Sequence, residues 1–172
     1  MNKVTISTEN DQYQIIESLK TNRTKRAKKG EVFVEGIESI KQAVRAHVPI
    51  TRIITADYNS LSDWGKSLVK DNPEALLVEM HGQLYRKICD RENPAELVIT
   101  AKITPLALSE ITLNENPFVL IFDRPSDHGN FGSILRSADS FGVDAVLVIG
   151  HAIDYYDPKV IRSSLGSIFH TQ

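Results

Sequence analysis

The sequence predicts a mixed α/β fold, and three observations carry that prediction. Phe118 to Phe122 is a continuous apolar run bounded by turn residues, the pattern of a strand covered on both faces. After a turn holding Pro125 and Gly129, apolar residues recur at three- and four-residue spacing (Phe131, Ile134, Leu135, Ala138, Phe141), and a second apolar run spans Ala145 to Ile149. Strand, amphipathic helix and strand make a β-α-β unit with an expected right-handed crossover. Upstream, strand-like and helix-like segments alternate from Val32 to Ile103.

Residues 1–30 read as an amphipathic helix around Tyr13, Ile16 and Leu19, followed by the basic run RTKRAKK from Arg23 to Lys29. A strand is expected near Val32 to Val34, then a helix with Ile37, Ile40 and Val44 inward, then a strand near Arg52 to Thr55. Ser60 with Asp63 resembles a helix start, with Leu61, Trp64 and Leu68 as the stripe. Leu76 to Val78 supplies a strand, Leu84 and Ile88 mark a short helix, and Leu97 to Ile103 is the last strand of this layer. Thr104 to Asn116 shows no sustained periodicity and carries Pro105, with Pro117 at its end, so it reads as a linker; a covered loop within one domain is the alternative. The expected division is 1–30 as helix and basic segment, 31–103 and 117–172 as two α/β units, and 104–116 between them.

With 41% hydrophobic and 24% charged residues over 172 positions, the chain has the composition of one or two packed domains rather than a disordered one. No apolar stretch approaches the roughly twenty residues of a membrane helix, and the amino terminus lacks the layout of a secretory signal, which makes the cytoplasm the expected location. The single cysteine, Cys89, excludes an internal disulfide and is too isolated for a zinc site. Asp123, Asp127 and His128 match no strong metal-ligand spacing, so no metal is expected. The net charge of -2 does not point to nucleic acid, whereas the basic run before Gly30 concentrates phosphate-binding charge; a solvated, mobile segment is the competing reading.

The residues Asp127, Gly129, Asn130, Gly132, Arg136, Ala138, Asp139, Phe141, Gly142 and Val143 resemble motif one of the SpoU, or TrmH-like, family of RNA 2′-O-ribose methyltransferases. His128 stands where that pattern usually has proline. KVIRSSLGSIF, from Lys159 to Phe169, resembles the family's next segment through Arg162, Ser164 and Gly166. VFVEGIESIKQAV, from Val32 to Val44, is similar to the start of the ribosomal-protein-like substrate-binding domain found ahead of many such catalytic domains, with Glu35 and Gly36 at its opening. The resemblance implies an amino-terminal α/β/α RNA-binding domain followed by the first part of a SPOUT, trefoil-knot type, parallel-sheet domain. It implies S-adenosylmethionine as cofactor, structured RNA (ribosomal RNA above all) as partner, and a homodimer. It also places the later motifs, the knot and most of the donor pocket in sequence that would follow Gln172, so the chain is expected to be cut short and to bind the donor weakly or not at all.

By the same resemblance Asn130 and Arg136 are the catalytic pair, and Arg23, Lys25, Arg26, Lys28, Lys29, Glu35 and Arg162 are expected to face RNA. A ribose hydroxyl is a weak acid and a poor nucleophile, so its methylation needs a group that stabilises developing oxyanion character and holds the oxygen in line. Arginine, with a pKa above roughly 12, suits electrostatic stabilisation better than proton removal. Six residues at about 100° put Asn130 and Arg136 about 120° apart on one helix, so they converge only if Asn130 belongs to the preceding turn. Other uses stay open: Asn130 as a helix cap, Arg136 paired with Asp139 or Ser140, Arg162 as a surface residue near a helix start. Ser163 and Ser164 lack a recognisable base, which argues against acyl transfer. Two whole-chain alternatives are an RNA-binding module without catalysis and a dinucleotide-binding domain; GNFG lacks the third spaced glycine that the latter needs.

Overall fold

A computed structural model of the chain describes residues 2–172. Its elements are β1 (Lys3–Ile6), α1 (Asp11–Thr21), α2 (Arg23–Lys29), β2 (Glu31–Val34), α3 (Ile37–Arg45), β3 (Ile50–Thr55), α4 (Asp63–Asp71), β4 (Leu76–Met80), α5 (Gly82–Ile88), β5 (Leu97–Lys102), β6 (Val119–Asp123), α6 (His128–Ser140), β7 (Ala145–Ile149) and α7 (Pro158–Ser163). Among the described residues no helix is long and apolar enough to cross a membrane.

The first five strands form one sheet in the order β1-β4-β3-β5-β2. β1, β4 and β3 are parallel, with Val4 beside Val78 and Ile54 beside Val78, and β5 runs antiparallel to both β3 and β2. Successive strand side chains point to opposite faces, which sorts the core into two layers. Phe33, Ile54, Val78 and Val98 meet Tyr13, Ile16 and Leu19 of α1 and Tyr85 and Ile88 of α5. Val32, Val34, Ile53, Leu77 and Ile99 meet Ile40 and Ala43 of α3 and Leu68 and Val69 of α4. The result is the expected α/β/α sandwich.

Several local expectations are corrected. β1 was not legible, because KVTI is an edge strand of four residues, too short for its alternation to stand out. The basic run is neither loop nor mobile segment: it is helix α2, started by the Asn22 side chain accepting the Lys25 amide and ended by Gly30 in the left-handed region. The cap of α4 is Ser62, which accepts from the Gly65 amide, while Ser60 sits in a preceding 3-10 turn. On α3 the buried residues are Ser39, Ile40 and Ala43, and Val44 is exposed. Phe141, expected inside, is 77% exposed beyond the end of α6.

In the carboxyl-terminal segment β6 and β7 pair in parallel, with Val119 beside Ala145 and Asp123 beside Ile149. The sheet is not covered on both faces as the apolar run implied. Leu120 and Phe122 pack under α6, whereas Val119 and Ile121 on the other face are exposed. Thr104–Asn116 contains only a 3-10 turn at Leu108–Glu110. The two α/β units nonetheless share one hydrophobic cluster: Val160 and Ile161 of α7, Ile168, and Phe131 and Leu135 of α6 join Ile40, Ala43, Val32 and Val34. Fully burying a side chain the size of Phe131 contributes roughly 2–3 kcal/mol, so this junction is held by more than the connecting chain.

Candidate active site

The turn after β6 delivers α6 to the carboxyl edge of the small sheet, where open α/β folds bind ligands. Asp127 is the N-cap: its Oδ1 accepts the Asn130 amide at 2.7 Å. Asn130 is therefore not the cap, and its side chain makes no hydrogen bond among the described residues. His128 occupies the first helical position, where a backbone N–H has no intrahelical partner. Proline is favoured there for its fixed φ, but histidine also starts the helix under the Asp127 cap, so the departure from the family pattern leaves the turn intact.

Gly132 is the point of closest approach between α6 and α7. A Cβ at that position would lie 2.1 Å from the Ser163 Oγ and 2.5 Å from the Ser163 carbonyl carbon. Only glycine allows the crossing, and Ser163 closes it by donating its hydroxyl to the His128 carbonyl at 2.7 Å. Ser163 and Ser164, which donates to the Ile161 carbonyl, are spent on structure. The same crossing fixes Arg136, whose Nη1 donates to the Ser163 carbonyl at the end of α7. Arg136 does not pair with Asp139 or Ser140. Asn130 and Arg136 lie on one helix six positions apart and make no bond to each other, so the condition for their convergence, Asn130 in the preceding turn, is not met.

Three residues expected at an RNA surface are instead inside ion-pair networks. Arg26 is 3% exposed; its Nη2 lies 2.5 Å from Asp154 and 3.5 Å from Asp157, and its Nη1 donates to the Leu19 and Lys20 carbonyls. Glu35 is 1% exposed, accepts the Asp90 amide at 3.1 Å, and accepts Arg162 Nη1 at 2.9 Å. Arg162 also reaches Asp90 at 3.2 Å, and Lys20 closes the far side of Asp90 at 2.7 Å. Burial alone would raise the Asp90 carboxyl, but the bonds from Lys20 and Arg162 outweigh it and hold the group below its ordinary value. These residues could not be placed from sequence, because a buried charge and a solvated one look alike until its partner is known.

Arg23, Lys25, Lys28 and Lys29 do stand exposed along α2. Arg23 Nη1 donates to the Ala152 carbonyl at 3.3 Å, which sets that helix beside the loop after β7. Arg124 also stands at this edge, where no motif or spacing marked it. It has φ of 49°, an unusual conformation for a non-glycine residue, and it packs where a Cβ on Gly150 would collide with its side chain at 2.5 Å. No group of three or more His, Cys, Asp or Glu side chains among the described residues is arranged to hold a metal ion.

The family model of the SpoU L30e-like domain matches residues 10–100, and that of the SpoU rRNA Methylase family matches residues 117–172. A 23S rRNA (uridine(2479)-2′-O)-methyltransferase of Streptomyces viridochromogenes is 36% identical over 167 residues, covering 95% of this chain and 57% of the relative. The mitochondrial rRNA methyltransferase 3 of Mus musculus is 31% identical over 86% of this chain and 36% of its own length. Among solved structures, the SpoU methyltransferase AviRb from Streptomyces viridochromogenes, in complex with the cofactor AdoMet, superposes with a TM-score of 0.86 at 35% identity, covering 94% of this chain and 61% of that one. An RNA 2′-O ribose methyltransferase superposes with a TM-score of 0.78 at 27% identity, covering 98% and 64%. The chain thus spans about half of the length of the curated relatives it matches. With an L30e-like sandwich matched over residues 10–100 and the glycine-shaped α6–α7 crossing inside the second match, the chain belongs to the SpoU methylase family.

Proposed function

We propose that this chain supplies the RNA-facing and arginine-bearing part of an enzyme that transfers a methyl group from S-adenosylmethionine to a ribose 2′-hydroxyl of ribosomal RNA. The observation that carries the reading is the anchoring of Arg136. One of its five N–H donors is held by the Ser163 carbonyl, which fixes the guanidinium and leaves the others for a phosphate and a developing alkoxide. A fixed cation beside the hydroxyl lowers its pKa without taking its proton. Asn130, in the first turn of the same helix with a free side chain, is assigned to the RNA strand rather than to the arginine. Arg23, Lys25, Lys28 and Lys29 on α2 neutralise phosphates and position the strand without choosing its sequence. Residues 31–103 are assigned to RNA binding, 104–116 to the connection and 117–172 to the catalytic unit. The reading includes a homodimer, supported by the exposed apolar face of β6, and a cytoplasmic setting, supported by the likeness to a Streptomyces enzyme.

The carboxylates at this edge are poorly placed for the donor's ammonium group. An ammonium group is held by carboxylate or carbonyl oxygens; Asp154 is engaged by Arg26 and Asp157 by Arg26 with His128 Nε2 at 3.7 Å, while Asp123 is half exposed and pairs only with its neighbour Arg124 among the described residues. This misfit favours one second reading, an RNA-binding module without catalysis. The test uses the chain alone and the chain joined after Gln172 to the remaining part of the Streptomyces viridochromogenes relative, each incubated with labelled donor and unmodified ribosomal RNA. Transfer by the fusion into alkali-resistant 2′-O-methyl linkages, abolished by Arg136→Ala, is expected. Transfer that survives Arg136→Ala rejects the catalytic reading, and salt-sensitive RNA binding without any transfer by the fusion leaves the binding module.

A further inference from the structure

A cavity of about 420 Å³ lies between α2 and the loop that follows β7. Arg23, Ala27 and Gly30 form one wall, and Gly150, Tyr155 and Tyr156 form the other. It opens at the carboxyl edge of β7, and its loop is tied to the one preceding α6 by the Ile153 amide on the Pro125 carbonyl at 3.0 Å. A molecule seated there is one loop away from Asn130.

The lining has a definite chemistry. The rings of Tyr155 and Tyr156 are 4.9 Å apart at 89°, and Tyr155 rests edge-on against the buried Phe131 at 5.6 Å, so the aromatic wall is held from behind. The side chain of Arg23 is 65% exposed; its Nε lies 3.9 Å from Asp154 and its Nη1 is on the Ala152 carbonyl, while its Nη2 has no protein acceptor among the described residues. The groove's one carboxylate, Asp154, is already neutralised by Arg26. The cavity therefore offers a π surface with a net cationic rim, continued by Lys25 and Lys28 on the exposed side of α2.

We propose that this groove takes one unstacked nucleotide of a single-stranded RNA segment, with its base against Tyr155 and Tyr156 and its phosphate on Arg23. The proposal rests on the RNA reading above and adds the place where the strand is gripped. Stacking on aromatic side chains beside a basic track is the general mode of single-strand binding. Charge decides against the other nucleoside of the reaction. S-adenosylmethionine carries a sulfonium and is net positive, so Arg23 and the neighbouring lysines repel it, whereas they attract a phosphodiester.

The test is photo-cross-linking of the 172-residue chain to an oligouridylate carrying 5-bromouridine, with peptides mapped by mass spectrometry and affinities measured over a salt series. Cross-links are expected on the peptide holding Tyr155 and Tyr156. Ala27→Leu fills the groove from an exposed helical position, and Tyr156→Leu removes a ring. Each should weaken binding about tenfold while leaving the salt slope unchanged, since the phosphate contacts remain. Ala27→Leu, with its fold checked by circular dichroism, keeps the test decisive if Tyr156→Leu fails to fold. Cross-links confined to other surfaces, or unchanged affinity in folded Ala27→Leu, would overturn the groove and leave the RNA reading standing. Absence of any salt-sensitive binding would remove both, and displacement of the Tyr155–Tyr156 cross-link by S-adenosylmethionine would reassign the cavity to the donor.

Discussion

Arg162 donates from Nη1 to the buried carboxylate of Glu35 at 2.9 Å, joining α7 to the residue after β2 across 127 positions of sequence. The residue next to Arg162 supplies the carbonyl that holds Arg136. A single helix of six residues thus touches both the L30e-like sandwich and the arginine of motif one. The two units are set against each other by this pair and by the Ser39 hydroxyl on the Ile161 carbonyl at 3.3 Å.

Removing Arg162 leaves the buried Glu35 carboxylate with only the Asp90 amide as partner among the described residues. Arg162→Met is expected to lower stability by about 3 kcal/mol, measured by urea unfolding, and the double variant with Glu35→Gln should recover much of the loss. A double-variant loss equal to the sum of the two single losses would show that the pair is not coupled.

Asp90 gives the acid limb of the stability curve. Its folded carboxyl lies below the ordinary value despite burial, because Lys20 and Arg162 favour the charged form. Its contribution is therefore fully present above the unfolded pKa of about 4 and is lost as pH falls through the lower folded value. Replacing it by asparagine should flatten the dependence of unfolding free energy on pH below about 4, and an unchanged acid limb would show that the native pKa is not depressed.

Gly132→Ala places a methyl group against Ser163 and must push α6 away from α7. A loss of about 1–3 kcal/mol is expected, seen as a lower thermal midpoint. In the fusion described above, methyl transfer should fall further than RNA affinity, because the displaced carbonyl no longer holds Arg136. Ser163→Ala should not show that split.

Cys89 is buried beside Tyr85, and burial with the Glu35 charge pushes its thiol up to about 12. At pH 8 the native chain should therefore resist iodoacetamide, reacting only as fast as it opens, while the urea-unfolded chain alkylates readily. Rapid native alkylation would contradict the packing of α5.

Calorimetry with S-adenosylmethionine should show no tight stoichiometric binding to this chain, since Asp154 and Asp157, the less exposed carboxylates at the sheet edge, are already held by Arg26. A tight one-to-one isotherm would require one of those pairs to open and would revise the site.

Sequence alone determined the alternation of strands and helices, the glycine turn with its motif, and the family, because these depend on periodicity and local turn chemistry that each segment carries by itself. It marked Arg136 and the cations of α2 without showing what they touch. Tertiary structure decided the rest. Arg26 and Glu35 read as surface charges until Asp154 and Arg162 were brought to them from residues more than a hundred positions away. Phe118 to Phe122 read as a doubly covered strand, yet one face of β6 is open, since an apolar run records what a strand tolerates and not how many layers pack on it. The groove of Tyr155 and Arg23 exists only because α2 docks on the loop after β7. Such contacts are set by which elements meet in space, and a one-dimensional pattern does not hold that information.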